Sequence, residues 1–210
     1  EIASCLVGSE MCIRDSFMVA SFLTFALYHL MDSFIVVWLG TEYVLPHSVL
    51  VVILANFFIS QFRGTNDQFI YGYGLFQDTW APIATLCITI LVALIGGYYW
   101  GLPGVLLGDV ASSVTVISIW KPYFLYRDGF KKPVSDYWKN ILLYLCLFAL
   151  SWLLTDVILS LLPLSKPIEG YAEWVFYALV SSLLYLVILT FSFYCFSKGI
   201  RTLLGRFIHL

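Results

Sequence analysis

A run of polar residues inside an apolar segment is where this sequence could do chemistry. Arg63 and Asp67 are four residues apart, so on a helix they share one face and can pair. Asn56 and Gln61 precede them in the same segment. Amides suit sugar hydroxyls, and an arginine can form paired hydrogen bonds with a phosphate. We predict that these four residues bind a sugar or a pyrophosphate. The alternatives are an ion pair that locks helix packing and polar groups that reach lipid headgroups.

His29 and Asp32 form a second candidate site, for binding a coupling proton or cation. They are three residues apart in another apolar segment. An ionisable group in hydrocarbon costs about 2.5–3.5 kcal/mol on insertion scales, so it usually faces a cavity or a partner. A purely structural pair is the alternative. Two further acids, Asp109 and Asp156, lie near the predicted ends of their segments, and we assign them no function.

A group of aromatic residues follows the polar run and could stack on sugar rings. The group consists of Tyr71, Tyr73, Phe76 and Trp80. Aromatic side chains are also common at the boundary between membrane and water, where they form a belt with no role in binding. The belt is therefore the simpler interpretation of this group.

No enzyme motif is present in the sequence. It lacks the His-Glu-x-x-His motif of metalloproteases, the Gly-x-Ser-x-Gly motif of hydrolases and a phosphate-cradling loop. The five cysteines have no metal-ligand spacing. We therefore expect no enzymatic activity, no metal and no other cofactor. The net charge of -2 gives no reason to expect a nucleic-acid partner.

The elements that must position these residues are apolar segments. Hydrophobic residues make up 61% of the chain, charged residues only 11%, and the mean hydropathy is +0.91. A soluble core could not cover so much apolar surface. Six segments are close to the length of about 20 residues that crosses a bilayer: 17–39, 46–73, 80–99, 104–126, 138–162 and 171–196. The predicted fold is an all-α, polytopic membrane helix bundle with six transmembrane helices.

The distribution of lysine and arginine predicts the orientation of these segments. Four basic residues lie between the fourth and fifth segments, at Arg127, Lys131, Lys132 and Lys139. The C-terminal tail is also basic, whereas Lys166 is the one basic residue in the connections after the first, third and fifth segments. Because basic loops stay in the cytoplasm, we predict a cytoplasmic C-terminus and a multi-pass topology.

The first 16 residues do not fit the pattern of the rest. They mix cysteines, acids and an arginine, and they lack the basic start and apolar run of a signal peptide. The string EIASCLVGSEMCIRDS resembles a translated sequencing-adapter sequence, so we expect residues 1–16 to be non-native and the natural chain to continue upstream. A natural, poorly ordered N-terminus is the alternative.

Four stretches together resemble a known transporter family. They are WLGTEYVLP (38–46), DQFIYGYGLFQDTWAP (67–82), GLPGVLLG (101–108) and WKPYFLYRDGFK (120–131). Their order is similar to the C-terminal half of the bacterial polysaccharide (O-antigen and capsule) repeat-unit flippases. These belong to the multidrug/oligosaccharidyl-lipid/polysaccharide exporter superfamily. One departure is that Ile70-Tyr71 stands where many relatives have an Arg-Asp pair, so no role of that pair transfers to this chain.

The resemblance implies that the chain supplies the last six of about fourteen helices. Residues 17–126 would then be four helices of the C-terminal lobe, 127–139 a basic cytoplasmic loop, and 140–210 two extra helices with a basic tail. The N-terminal lobe of the same protein would be the missing partner. The implied function is to flip a lipid-linked oligosaccharide, an undecaprenyl-pyrophosphate glycan, across the bacterial inner membrane by alternating access.

Three other functions stay open at this point. A cation-coupled drug exporter of the same superfamily would use His29 and Asp32 as its coupling site. A membrane-embedded polysaccharide polymerase or acyltransferase is another class, although polymerases usually carry a large external loop and the longest external connection predicted here is about 162–171. A structural membrane subunit without transport, surrounded only by membrane lipids, is the last.

Overall fold

The chain is all-α in a computed structural model that describes residues 2–75, 79–131, 133–162 and 170–196. These residues form six long helices and no strand: α1 Ile2–Trp38, α2 His47–Gly72, α3 Ala81–Trp100, α4 Leu102–Phe130, α5 Ser135–Leu161 and α6 Tyr171–Phe196. A short 3₁₀ turn, Thr41–Tyr43, lies between α1 and α2. All six helices contain a segment long and apolar enough to cross a membrane. The predicted all-α polytopic fold with six spans is thereby confirmed.

Helix α1 begins earlier than the predicted first span. The prediction started this span at Phe17, but α1 runs without interruption from Ile2. The apolar part that could cross a membrane is Cys12–Trp38. Residues 2–16 are therefore helical and continuous with the span.

The predicted basic loop at 127–139 is wrong in its bounds. Helix α4 continues to Phe130, and α5 already begins at Ser135. Two stretches of α4 have wider, π-type turns, Ser113–Trp120 and Leu125–Phe130. Such turns often accompany a proline, which removes a backbone donor, and Pro122 lies between the two stretches.

Aromatic burial explains why α4 extends beyond the predicted end. Tyr126 and Phe130 are both buried, and their rings meet edge to face with centroids 5.1 Å apart. Tyr126 also contacts Tyr137 of α5 at 5.5 Å. This burial stabilises the last turns of the helix, although the sequence there is polar and basic. The helix ends at Lys131, which has a left-handed backbone with φ of 53°.

The chain divides into two compact units, which differ from the predicted four-plus-two grouping. The first unit contains residues 1–20 and 45–140, and the second contains residues 21–44 and 141–210. The C-terminal half of α1, residues 21–38, thus belongs with α6 and most of α5, whereas its N-terminal half is grouped with α2, α3 and α4. The physical reason is aromatic packing, because Phe25 of α1 stacks on Tyr185 of α6 with centroids 3.9 Å apart. Phe25 also meets Trp152 of α5 edge to face at 5.3 Å.

In the first unit, α3 and α4 form a hairpin whose backbones touch. Gly101 turns the chain with φ of 65°, and Pro103 follows within the first turn of α4, where a proline costs no hydrogen bond. A Cβ atom on Gly96 would lie 2.5 Å from the carbonyl oxygen of Gly104. Farther along, the hydroxyl of Thr89 donates to that of Ser112 at 2.9 Å. Glycine is required here because any side chain would separate the helices.

In the second unit, small polar residues lie inside. Ser151 of α5 and Ser192 of α6 are buried, and their hydroxyls are hydrogen-bonded at 3.1 Å. Thr155 and Ser181 are buried as well and donate to backbone carbonyls one turn earlier in their own helices. Hydroxyl residues between close helices are typical of proteins that pack in lipid.

The outward surfaces are apolar in the same helices. Side chains spaced along one ridge of α6 are exposed: Leu179, Leu183, Val187 and Phe191. On α3 the exposed set is Ile83, Leu86, Ile90, Leu94 and Tyr98. Water would not favour such large contiguous apolar faces, whereas lipid covers them at no cost. Apolar exteriors around hydroxyl-lined contacts support the membrane assignment independently of hydropathy.

Candidate anion-binding site

An open cavity of about 180 Å³ lies in the first unit among α2, α4 and the start of α3. Its apolar wall consists of Ile70, Leu75, Ala81, Pro82, Val116 and Ile117. Its polar lining consists of Arg63, Asp67, Tyr71, Thr79, Thr85 and Lys121. We refer to these twelve residues as the α2–α4 cavity.

Asp67 lies between two cations in this cavity. The Nζ atom of Lys121 donates to Oδ1 of Asp67, and Nε of Arg63 is 3.5 Å from Oδ2 of the same carboxylate. The side chains of Lys121 and Asp67 are 14% and 20% exposed, whereas that of Arg63 is 58% exposed. The three groups together carry a net charge of about +1 at neutral pH. The cavity is therefore electropositive, and its more accessible cation is Arg63.

Helical spacing brings these groups to one place. Arg63, Asp67 and Ile70 follow one another at intervals of four and three residues, so they share a face of α2. On α4, Ile117 and Lys121 are also four residues apart and both line the cavity. The aliphatic stem of Lys121 can lie along this apolar wall while its ammonium group reaches Asp67.

Hydroxyl groups complete the polar lining. Thr85 donates to the carbonyl of Ala81 at 2.9 Å, which leaves its oxygen as an acceptor. Thr79 and Tyr71 are exposed at the rim. An anion with several oxygens would thus meet two cations and the exposed hydroxyl groups of Thr79 and Tyr71.

Two of the four predicted binding residues line the cavity, and two do not. Arg63 and Asp67 are the ones brought together, as their spacing predicted. Asn56 lies on the same face of α2 but accepts a hydrogen bond from Ser113 at 3.4 Å, where it ties α2 to α4. Gln61 is half-buried on a different face of α2 and is not among the described cavity residues.

The predicted aromatic group is divided in the structure. Tyr71 lines the cavity, whereas Tyr73 packs against Phe130 with centroids 5.3 Å apart. Trp80 packs against Trp120 at 4.8 Å. Phe76 lies outside the described residues. A continuous stacking platform for sugar rings is therefore not formed by the described members of the group.

His29 of the second candidate site lies against an unexpected partner. Its Nε2 atom is 3.1 Å from Oδ1 of Asp156 on α5, a residue to which the sequence analysis assigned no function. Asp32 follows one turn later on α1, and its Oδ1 atom is buried with no hydrogen-bond partner among the described residues. Asp156 therefore joins His29 as a residue of this candidate site.

Lys121 is the cavity residue that sequence reasoning missed. A lysine flanked by apolar residues has the same energetic cost in hydrocarbon as Arg63, and this signal could have identified Lys121. Asn66 was also overlooked. It is buried next to Asp67, and its amide contacts the hydroxyl of Tyr137 on α5. Among the described residues, no group of His, Cys, Asp or Glu could hold a metal ion.

No known protein family, curated protein or solved structure matches this chain. The α2–α4 cavity combines a net positive charge with an apolar wall and exposed hydroxyl groups.

Proposed function

We propose that the chain is part of a bacterial inner-membrane transporter that flips a lipid-linked oligosaccharide, and that the α2–α4 cavity binds its pyrophosphate. The observation that carries this proposal is the excess of positive charge, in which Lys121 and Arg63 share the single carboxylate of Asp67. An arginine with exposed donors can hold phosphate oxygens in a bidentate manner. The resemblance of residues 38–131 to the flippases supports the same function.

The size of the cavity favours a headgroup over a whole glycan. Its volume of about 180 Å³ would hold roughly six water molecules at about 30 Å³ each. Pockets that enclose drug-sized ligands are larger, at about 300–1,000 Å³. The anionic part of a lipid-linked sugar would fit, while the sugars would extend past the rim at Tyr71 and Thr79.

The position of the cavity suits loading from the cytoplasm. The basic residues predict that the C-terminal ends of α2 and α4 face the cytoplasm. Asp67 is five residues from the end of α2, which corresponds to about 8 Å along the axis. An anionic headgroup at the cytoplasmic surface would therefore reach the cavity without crossing the hydrocarbon.

Arg63→Ala tests this proposal in the complete transporter. The change removes the accessible cation, and hydrogen bonds to charged groups are worth about 1.5–3 kcal/mol, so we expect surface polysaccharide to fall about tenfold or more. Arg63→Lys keeps the charge but loses the bidentate geometry, and we expect it to restore part of the activity. Surface polysaccharide is measured in a strain that lacks its own transporter.

Arg127→Ala is the matched control for this experiment. Arg127 is exposed, pairs with Asp128 at 3.4 Å and does not line the α2–α4 cavity. We expect wild-type polysaccharide from this variant at equal amounts of protein in the membrane. If Arg63→Ala supports wild-type polysaccharide at normal protein levels, the proposed role of the cavity is wrong.

A further inference from the structure

A histidine in the second unit is enclosed by aromatic rings and one carboxylate. The ring centroid of His29 is 4.3 Å from that of Phe25, 5.3 Å from that of Tyr28 and 5.7 Å from that of Trp152. Its Nε2 atom is 3.1 Å from Oδ1 of Asp156. The imidazole is only 12% exposed, whereas Asp156 is 40% exposed. Aromatic faces within about 6 Å stabilise a cation.

The charges around His29 also favour a cation. Asp156 faces it from α5, and Asp32 lies one turn away on α1, where its Oδ1 atom is buried without a hydrogen-bond partner among the described residues. Tyr28 on α1 also lies next to the ring, and Tyr185 of α6 stacks on Phe25. A proton on His29 gives the carboxylate of Asp156 a cationic partner 3.1 Å away and completes an ion pair.

We propose that His29, Asp156 and Asp32 form a proton-binding site, in which the imidazole takes up the proton and Asp156 stabilises it. When the proton leaves, the ion pair that ties α1 to α5 is lost. Protonation therefore strengthens the contact between these two helices. This inference uses no residue of the α2–α4 cavity and does not depend on the proposed transport function.

The site lies toward one end of its helices, which gives a proton a short path. Asp156 is five residues from the end of α5 at Leu161, or about 8 Å. His29 is nine residues from the end of α1 at Trp38, or about 14 Å. Asp156 is the more exposed of the two groups, so it is the one that can exchange a proton with its surroundings.

Nitrogen-15 NMR of the full chain in lipid nanodiscs tests the site. The chain contains three histidines, so histidine-selective labelling gives few signals, and His29→Gln assigns the signal of interest. We expect Asp156→Asn to lower the midpoint of the His29 titration by about one pH unit, a tenfold loss of proton affinity, because the stabilising charge is gone. Asp156→Glu should retain most of the affinity.

Asp136→Asn is the matched control, because Asp136 is also on α5 but is exposed and pairs with Lys139 at 3.6 Å. The His29 midpoint should not move in this variant. An equal midpoint in wild type and Asp156→Asn would overturn the proposal. So would a midpoint that changes when sodium is exchanged for choline, because the carboxylates would then hold a metal cation.

If Asp156→Asn fails to fold, the fluorescence of Trp152 gives a second test in protein that keeps Asp156. An imidazolium ring in contact with an indole quenches its fluorescence, and these two rings are neighbours in the structure. The difference in emission between wild type and Trp152→Phe should fall as the pH is lowered from about 8 to about 5. A difference that is constant over this range would show that His29 does not take up a proton there, and the proposal would be wrong.

Discussion

Lys121→Met should lower the free energy of unfolding by about 3–5 kcal/mol. The change leaves the carboxylate of Asp67 in the cavity wall without its closest cation, and breaking a largely buried pair on one side has a cost of this size. Arg63 remains 3.5 Å away and compensates in part, which favours the lower end of the range. The measurement is reversible unfolding in mixed micelles as the fraction of denaturing detergent is raised.

The double variant Lys121→Met/Asp67→Asn distinguishes the loss of the whole ion pair from the loss of one partner. Replacing both charges by neutral groups of similar shape leaves no unpaired charge, so we expect most of the stability to return. Lys139→Met is the matched control, because the pair of Lys139 and Asp136 is exposed and such pairs contribute about 0–1 kcal/mol. A single variant as stable as wild type would show that Lys121 and Asp67 do not pair.

The same double variant also distinguishes the structural role of the pair from binding. A protein that folds normally but has lost Lys121 retains only Arg63 as a cavity cation. If the site binds pyrophosphate, transport should stay low although stability is restored. Recovery of both properties together would mean that the pair only locks α2 to α4, which is the alternative that the sequence left open.

The number and type of helices could be predicted because lipid imposes a simple rule. A helix that crosses a bilayer needs about 20 apolar residues, and hydropathy detects such segments directly. The ends are less predictable, because they depend on tertiary contacts. Tyr126 and Phe130 extend α4 through polar residues by burying their rings, and no local pattern in Arg127–Phe130 indicates a helix.

The candidate sites show a similar division between local and distant information. Arg63 and Asp67 could be paired from sequence, since they are separated by one helical turn. Lys121 reaches Asp67 across 54 residues, and His29 reaches Asp156 across more than 100, so periodicity within one helix contains no information about either contact. Ionisable residues whose placement in hydrocarbon costs free energy can be identified in the sequence, but their partners are set by helix packing.

The grouping of helices could not be predicted for the same reason. The four-plus-two division followed from the order of segments and from the resemblance. It contained no information about which rings would stack. Phe25, Trp152 and Tyr185 come from three different helices, and their contacts place the C-terminal half of α1 with α5 and α6.

Gly104→Val is expected to destabilise the chain by about 3 kcal/mol, the upper part of the range for overpacked sites. A Cβ atom at position 104 would overlap the backbone carbonyl of Gly96, and a backbone contact cannot be relieved by rotating a side chain. Gly108 faces the same problem, since a Cβ atom there would lie 2.6 Å from the carbonyl oxygen of Thr89. The valine must therefore push α3 and α4 apart along this contact, which also strains the hydrogen bond between Thr89 and Ser112.

Gly64→Val makes the same chemical change where the structure has space. No atom lies within 4 Å of a Cβ built on Gly64, and valine has a better helix propensity than glycine. The variant should therefore unfold at the same fraction of denaturing detergent as wild type or at a slightly higher one. Both variants are compared in the mixed-micelle assay used for Lys121. Equal destabilisation of the two would point to a general intolerance of valine, and no loss at Gly104 would contradict the close α3–α4 contact. A loss confined to Gly104 would show that this contact holds the hairpin whose first residues, Ala81, Pro82 and Thr85, form one wall of the cavity.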